Sequence, residues 1–260
     1  MIEPTVLVER VDTTLLITFN RPDKLNAIDQ RMSILIGAAI ETLESDPTLR
    51  VGVLTGAGRG FCSGADFAAR QRGERALVPG REEWGFAGLA RHWTSKPLVA
   101  AVNGVAFGGG FEIVLGCDLV VAARGARFAL PEVRRGLIAT GGGLVNLPEL
   151  VGRARAMQLA LTGDPIDAET ALHWGLADVV VDDAETLPMA LRLAARVAEA
   201  APLAVGATKR VLRRHPADAP AALEASWELC EREGRVRESA DAAEGTAAFL
   251  ERRDPHWRGR

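Results

Sequence analysis

Cysteine is scarce in this chain: Cys62, Cys117 and Cys230 are the only three in 260 residues. An odd number of widely spaced thiols excludes a disulfide framework, and without a C-x-x-C pair it gives no metal site. Reduced thiols in a cytoplasmic protein are the expectation. The four histidines, His92, His173, His215 and His256, fall at no metal-ligand spacing, so no metal is expected. The Gly-x-Ser-x-Gly elbow of the common serine hydrolases is absent. Lysine occurs only at Lys24, Lys96 and Lys209, with arginine supplying the remaining positive charge, and the net charge is −3 with a pI near 5.9. That balance gives no reason to expect nucleic acid or an anionic membrane as partner. The longest apolar runs are broken by Gly, Asp and Asn well short of the ~20 residues of a membrane span. The opening segment, MIEPTVLVERVDTT, lacks the basic stretch, apolar core and small-residue cleavage site of a secretion signal.

What is present is the composition of an ordinary globular protein, 48% hydrophobic and 25% charged, long enough for one or two domains with a sizeable core. Residues 5–9 and 14–19 have strand composition and a polar turn at Asp12 and Thr13, which predicts a hairpin. Arg21 to Ala27 reads as a polar loop. Asp29 is placed to cap a helix whose apolar positions Met32, Leu35, Ile36, Ala39, Ile40 and Leu43 keep helical spacing and stop at Asp46 and Pro47. A buried strand follows from Val51 to Leu54. The TGAGRG loop behind it is not a dinucleotide fingerprint, because the third glycine of G-x-G-x-x-G would fall at Phe61 and no acidic residue ends a following strand about 20 residues on.

Residues 66–96 are polar, arginine-rich and irregular, with Trp84, Phe86 and Trp93 among them, and a segment of that length in a compact domain is functional or disordered. Each ring taken singly reads equally well as pocket wall or as packing. Further on, a helix is predicted near Ala154 to Leu161, and another begins at Asp167 or Thr170 and ends at Gly175. Val179 to Val181 is the last strand. Strands alternate with helices up to that point, indicating an α/β layered domain. From Leu187 onward the pattern is helical only, with Pro202, Pro216 and Pro220 separating the pieces and Leu223, Trp227 and Cys230 at helical spacing.

The most informative stretch is Ser95 to Glu132, SKPLVAAVNGVAFGGGFEIVLGCDLVVAARGARFALPE. It reads as a strand from Pro97 to Val102, a turn at Asn103 and Gly104, a turn of three glycines (Gly108, Gly109, Gly110), an apolar helix and a second strand from Leu119 to Ala122. Consecutive glycines ahead of a helix let backbone N–H groups approach a ligand with no Cβ in the way. The helix is apolar nearly all round, so Glu112 in its first turn is a carboxylate in a costly position, where pKa values move.

This stretch resembles the crotonase (enoyl-CoA hydratase/isomerase) superfamily. Supporting blocks lie in family order along nearly the whole chain: RPDKLNAI at Arg21 to Ile28, VGVLTGAGRGFCSGADF at Val51 to Phe67, LPEVRRGL at Leu130 to Leu137, the pair Gly141 and Gly142, and EGTAAFLERR at Glu244 to Arg253. The resemblance implies an α/β fold, a crotonase-like spiral of strand-strand-helix repeats over residues 1–195. Residues 196–260 would form a C-terminal helical region that builds a homotrimer or a dimer of trimers. It also implies enoyl-CoA hydratase activity with no cofactor beyond the coenzyme A carried by the substrate.

By the same resemblance the N–H groups of Ala65 and Gly109 form an oxyanion hole for the thioester oxygen. Glu112 orients and deprotonates water, and Glu132 supplies the proton to C2. The implied substrate and coenzyme A contacts are Lys24, Leu25, Ala27, Ser63, Gly64, Asp66 and Gly108, together with Phe249 and Arg252, the latter two approaching from a neighbouring subunit. Asp66 also reads as a brace of its loop, Cys62 as a packing residue, and residues 66–96 as the wall of the acyl pocket. Arg252 replaces a lysine common in better-known hydratases, which keeps charge but alters geometry. The run Ile138-Ala139-Thr140-Gly141-Gly142 departs from the Pro-Gly-Ala-Gly-Gly type and looks closer to members acting on crotonobetainyl-CoA or other special acyl-CoAs. The competing readings are therefore an enoyl-CoA isomerase, a crotonobetainyl-CoA hydratase/dehydratase, and a non-catalytic acyl-CoA binding protein.

Overall fold

A computed structural model describes residues 4–213 and 238–255. The chain opens with strands β1 (Val6–Val11) and β2 (Thr14–Phe19), paired antiparallel about a turn in which Asp12 takes φ +52°. Helix α1 (Gln30–Ser45) starts where Asp29 accepts a hydrogen bond from the Met32 N–H at 2.9 Å. Met32, Ile36, Ala39, Ile40 and Leu43 form its buried face, as the spacing predicts.

The following units repeat. β3 (Val51–Gly56) and β4 (Gly60–Cys62) precede the short helix α2 (Phe67–Gln71). β5 (Leu98–Val102) and β6 (Val105–Phe107) lead into α3 (Gly109–Gly116). β7 (Leu119–Ala123) and β8 (Arg127–Ala129) are followed by a 3₁₀ turn, Pro131–Arg135, and by α4 (Gly143–Thr162). The last units are β9 (Ile166–Asp167), α5 (Ala168–His173), β10 (Val179–Val181), α6 (Thr186–Ala198), α7 (Pro202–Arg213) and α8 (Ala240–Glu251). The pairs β3/β4, β5/β6 and β7/β8 each send their first member to a six-stranded sheet, β1-β2-β3-β5-β7-β10, and their second to a four-stranded sheet that includes β9, in the order β4-β6-β8-β9. From β2 to β10 the large sheet is parallel, and the chain is a spiral of strand-strand-helix turns.

The central strands β2, β3, β5 and β7 of the large sheet are buried on both faces, which is why they read as continuous apolar runs. Leu54, Ala100 and Ala122 point into the main core with α1 and α3, while Val51, Val53, Val99, Ala101 and Val121 point the other way, under Ala190 and Ala194 of α6. The boundary expected near residue 195 thus falls within a helix that packs on the sheet.

α4 is longer than the sequence pattern indicates. It begins at Gly143, contains Pro148, and breaks at Gly152, whose φ +77° and ψ 158° are not helical. Pro and Gly read locally as stops, yet burial of Leu147 and Val151 keeps both pieces in place. Asp167 caps α5 through the Thr170 N–H at 2.8 Å. The positions Leu223, Trp227 and Cys230, like His215, His256, Pro216 and Pro220, lie outside the described residues. Among the described residues, no helix is long and apolar enough to cross a membrane.

Candidate active site

Two turns of the spiral deliver two carboxylates to one cleft. Glu112 sits in the first turn of α3, only 4% exposed, and its Oε1 accepts a hydrogen bond from the Gly143 N–H at 2.9 Å. The Gly141 N–H also donates to it. The start of α4 therefore serves as an anion cradle, as helix N-termini do. Space there is tight: a Cβ on Gly141 would stand 2.6 Å from Glu112 Oε2. Burial raises the pKa of Glu112 above the usual glutamate range, and the two N–H donors only partly oppose it.

Glu132 comes from the 3₁₀ turn after β8. Its Oε1 is so close to the central glycines that a Cβ on Gly108 would stand 2.9 Å away, and Gly108 itself takes φ +52°, a conformation glycine adopts without strain. Its Oε2 is shut off from solvent and has no hydrogen-bond partner among the described residues. Burial first, and the facing charge of Glu112 second, push its pKa upward, while its own backbone N–H and, after it, Arg135 pull the other way. An oxygen without a donor favours the protonated carboxyl, and two N–H donors from a neighbouring helix start favour the carboxylate. The arrangement thus holds one proton between the two groups, with Glu132 as its better home.

The backbone donors are equally specific. Gly64 abuts the glycine turn, since a Cβ on it would lie 3.2 Å from Gly109 N. Ile28 N–H donates to Gly64 O and Asp66 N–H to Ile28 O, both at 2.8 Å, which leaves the Ala65 N–H facing away from that bridge. Neither the Ala65 N–H nor the Gly109 N–H, at the open end of α3, has a hydrogen-bond partner among the described residues. The ring of Phe86 lies against Gly109, so that any side chain at 109 would strike it.

Asp66 is a brace. Its Oδ1 caps α2 through the Ala68 and Ala69 N–H groups at 3.0 and 3.1 Å, and its Oδ2 takes Arg21 at 2.8 Å and Lys24 at 3.3 Å. Burial alone would raise its pKa, but these partners hold it below the ordinary aspartate value. Lys24, Leu25, Ala27, Ser63, Gly64, Ala65, Asp66, Gly108, Gly109, Glu112, Glu132, Phe249 and Arg252 all line one cleft of about 1500 Å³. Phe249 and Arg252 line the cleft of their own chain: Phe249 meets Phe67 edge-on at 5.1 Å, and the Arg135 guanidinium lies 4.4 Å over its ring. Cys62 is a buried packing residue, its thiol pushed up to about 12 by burial.

In the 66–96 segment the three aromatics divide. Trp84 stacks on His92 at 4.0 Å and packs against Gly37 of α1, Trp93 lies under Lys209, and Phe86 alone faces the glycine turn. Phe86 was open to either role in the sequence, and sequence reasoning did not single out the Gly141 and Gly143 N–H groups or Arg135. Only the LPEVRRGL and Gly141-Gly142 blocks signalled them.

A family model described as Enoyl-CoA hydratase/isomerase matches residues 9–260. The chain belongs to this family. The carnitinyl-CoA dehydratase of Proteus mirabilis (strain HI4320) is 40% identical to it over 258 residues, covering 95% of this chain and 96% of the relative. The crystal structure of carnitinyl-CoA hydratase from Mycobacterium avium superposes with a TM-score of 0.93 at 44% identity over 100% of both chains. That of enoyl-CoA hydratase from Mycobacterium tuberculosis H37Rv gives 0.79, also at 44% identity, over 99% of this chain and 100% of its own. As a member of this family the protein is a crotonase-type hydratase/dehydratase of coenzyme A thioesters.

Proposed function

We propose that the protein adds water reversibly across the 2,3-double bond of an enoyl-CoA thioester. The observation that carries this reading is the unequal pair of buried carboxylates, Glu112 held by two backbone donors and Glu132 with an unpartnered Oε2. With the thioester oxygen between the Ala65 and Gly109 N–H groups, charge growing on that oxygen is stabilised, a contribution of ~3 kcal/mol per donor. Ionised Glu112 takes a proton from water as its oxygen bonds to C3, and Glu132 gives its proton to C2. The enzyme finishes with the proton on Glu112, and transfer back between the two carboxyls restores the starting state. Electrons are not exchanged with the substrate, so the coenzyme A of the thioester is the only carrier the reaction uses. A double-bond isomerase needs mainly one glutamate, and a pure binder needs neither glutamate nor free donors.

The acyl group has a second reading. The carnitinyl-CoA names of the relatives and the Ile138-Ala139-Thr140-Gly141-Gly142 run both favour a substrate with a trimethylammonium end, crotonobetainyl-CoA hydrated to carnitinyl-CoA and the reverse. Crotonyl-CoA and crotonobetainyl-CoA assayed side by side, by loss of the conjugated-enoyl absorbance, separate the two. If neither turns over while both bind, the protein is a carrier and the hydratase reading falls. A homotrimer or dimer of trimers goes with the proposal and is checked by light scattering.

A further inference from the structure

Arg135 is a cation out of place. It stands one 3₁₀ turn from Glu132, half-buried in the cleft, and its guanidinium lies over the ring of Phe249 of α8, 4.4 Å from its centroid. Five N–H donors on a partly desolvated group ordinarily find carboxylate or carbonyl acceptors. Arg135 makes no hydrogen bond or ion pair among the described residues, whereas its neighbour Arg134 donates to Thr162 O at 2.6 Å and pairs with Asp164. The carboxyl whose charge Arg135 feels is that of Glu132, and burial of the guanidinium strengthens that interaction.

Other charged groups around this turn are occupied or distant in role. On α8, Glu244 pairs with Arg253 at 2.6 Å. On α4, Glu149 and Arg153 are exposed and Arg155 lies over Trp174. On α3 the only charge is Glu112 itself, and Glu238 and Arg252 line the same cleft. Phe249 fixes where the guanidinium sits, and α8 fixes Phe249: at Gly245 the helix runs so close to the Arg135 carbonyl that a Cβ there would collide with it.

Resting on the hydratase reading, we infer that Arg135 is a positioning residue of the reaction, a counter-charge clamped by Phe249 that keeps the Glu112–Glu132 pair in its one-proton state at neutral pH. Two buried carboxylates left to themselves hold both protons to higher pH, and a doubly protonated pair has no base for water. A fixed positive charge beside Glu132 lowers both titrations of the pair.

The test is the pH profile of kcat for Arg135→Gln, Arg135→Met, Arg135→Lys and Phe249→Leu, with acyl-CoA affinity measured in parallel. Loss of the charge moves both limbs of the profile to higher pH by about one unit, an approximately tenfold loss on the acid side. On the alkaline side the variants retain more of their maximal rate than the wild type. Arg135→Lys restores most of the shift, and Phe249→Leu gives a smaller one in the same direction. A rise in KM alone with an unmoved profile overturns the inference and makes Arg135 a substrate contact. Equal loss at every pH, with a lowered Tm, overturns it as well. Infrared titration of the carboxyl bands in isotope-labelled glutamate protein reads the same shift without turnover. A wild type inactive on both enoyl-CoAs thus sinks the hydratase reading separately, and an unshifted carboxyl titration sinks the counter-charge.

Discussion

Glu112 rises from a helix of eight residues buried nearly all round and is locked by the N-terminus of α4, whereas Glu132 rides on a five-residue 3₁₀ turn with one oxygen unpartnered. Both are pushed upward in pKa by burial, so burial by itself does not distinguish acid from base. What differs is hydrogen-bond supply. The group that must be a carboxylate is given two backbone donors at the start of α4, and the group that must keep its proton has only its own backbone N–H, with Oε2 unpartnered among the described residues. A local accounting of N–H donors thus assigns roles that a list of buried glutamates leaves equal.

The sharpest way to break this contrast is to neutralise each partner in turn. Glu132→Gln should lower kcat for enoyl-CoA hydration by about 10³-fold, within the range of acid–base contributions, with acyl-CoA binding preserved. Glu112→Gln should lose as much activity and in addition cost roughly 1–3 kcal/mol of stability, because an amide NH₂ facing the Gly141 and Gly143 N–H groups leaves buried donors unsatisfied. Steady-state kinetics with thermal melts read both. Equal stability of the two variants would erase the distinction drawn here.

Next in size is Gly141→Ala. Its Cβ would meet Glu112 Oε2, so the carboxylate must move, and misplacement of about 1 Å costs on the order of 10²-fold in kcat. A Glu112 that tolerates the methyl group without loss of rate is not the positioned base.

A smaller effect lies in stability against pH. Both glutamates have pKa values raised above their unfolded values, chiefly by burial. Their stabilising contribution is complete below the unfolded glutamate pKa and is lost as pH rises through the elevated folded values. Glu132→Gln removes its share of that slope, so its Tm relative to wild type should climb with pH, by roughly 2–4 °C per kcal/mol. A Tm difference that does not change between acid and alkaline buffer would show that Glu132 is not desolvated. The least change is expected from Phe86→Ala, which opens the wall beside Gly109 and should alter relative rates among acyl groups by about tenfold, measured as kcat/KM across chain lengths. Glu112 and Glu132 chemistry should be otherwise intact.

Legibility followed element length. α1 with its Asp29 cap, the β1–β2 hairpin, β3, β5 and β7 are five to sixteen residues long and show their period or apolar run plainly. The four-stranded sheet was not foreseen, because β4, β6, β8 and β9 have two or three residues each and carry no period to read. Yet β6 and β8 are the strands that hand the chain to Gly109 and to Glu132. In α4, Pro148 and Gly152 concealed a helix start whose N–H groups hold Glu112. In the 66–96 segment, composition could not separate Phe86 from Trp84 and Trp93, since what sorts them is which surface each ring meets.

The sequence by itself determined the alternation of strand and helix, the glycine turn ahead of an apolar helix, the two glutamates and the family to which they belong, because these rest on local periodicity, backbone freedom and motif order. Only the tertiary structure decided which glutamate meets the donors of α4 and which keeps an unpartnered oxygen, that Arg135 stands unpaired among the described residues beside Glu132 and over Phe249, and that the ends of β6 and β8 converge. Those are relations between residues far apart in the chain, and desolvation, hydrogen-bond satisfaction and charge proximity exist only once packing brings them together.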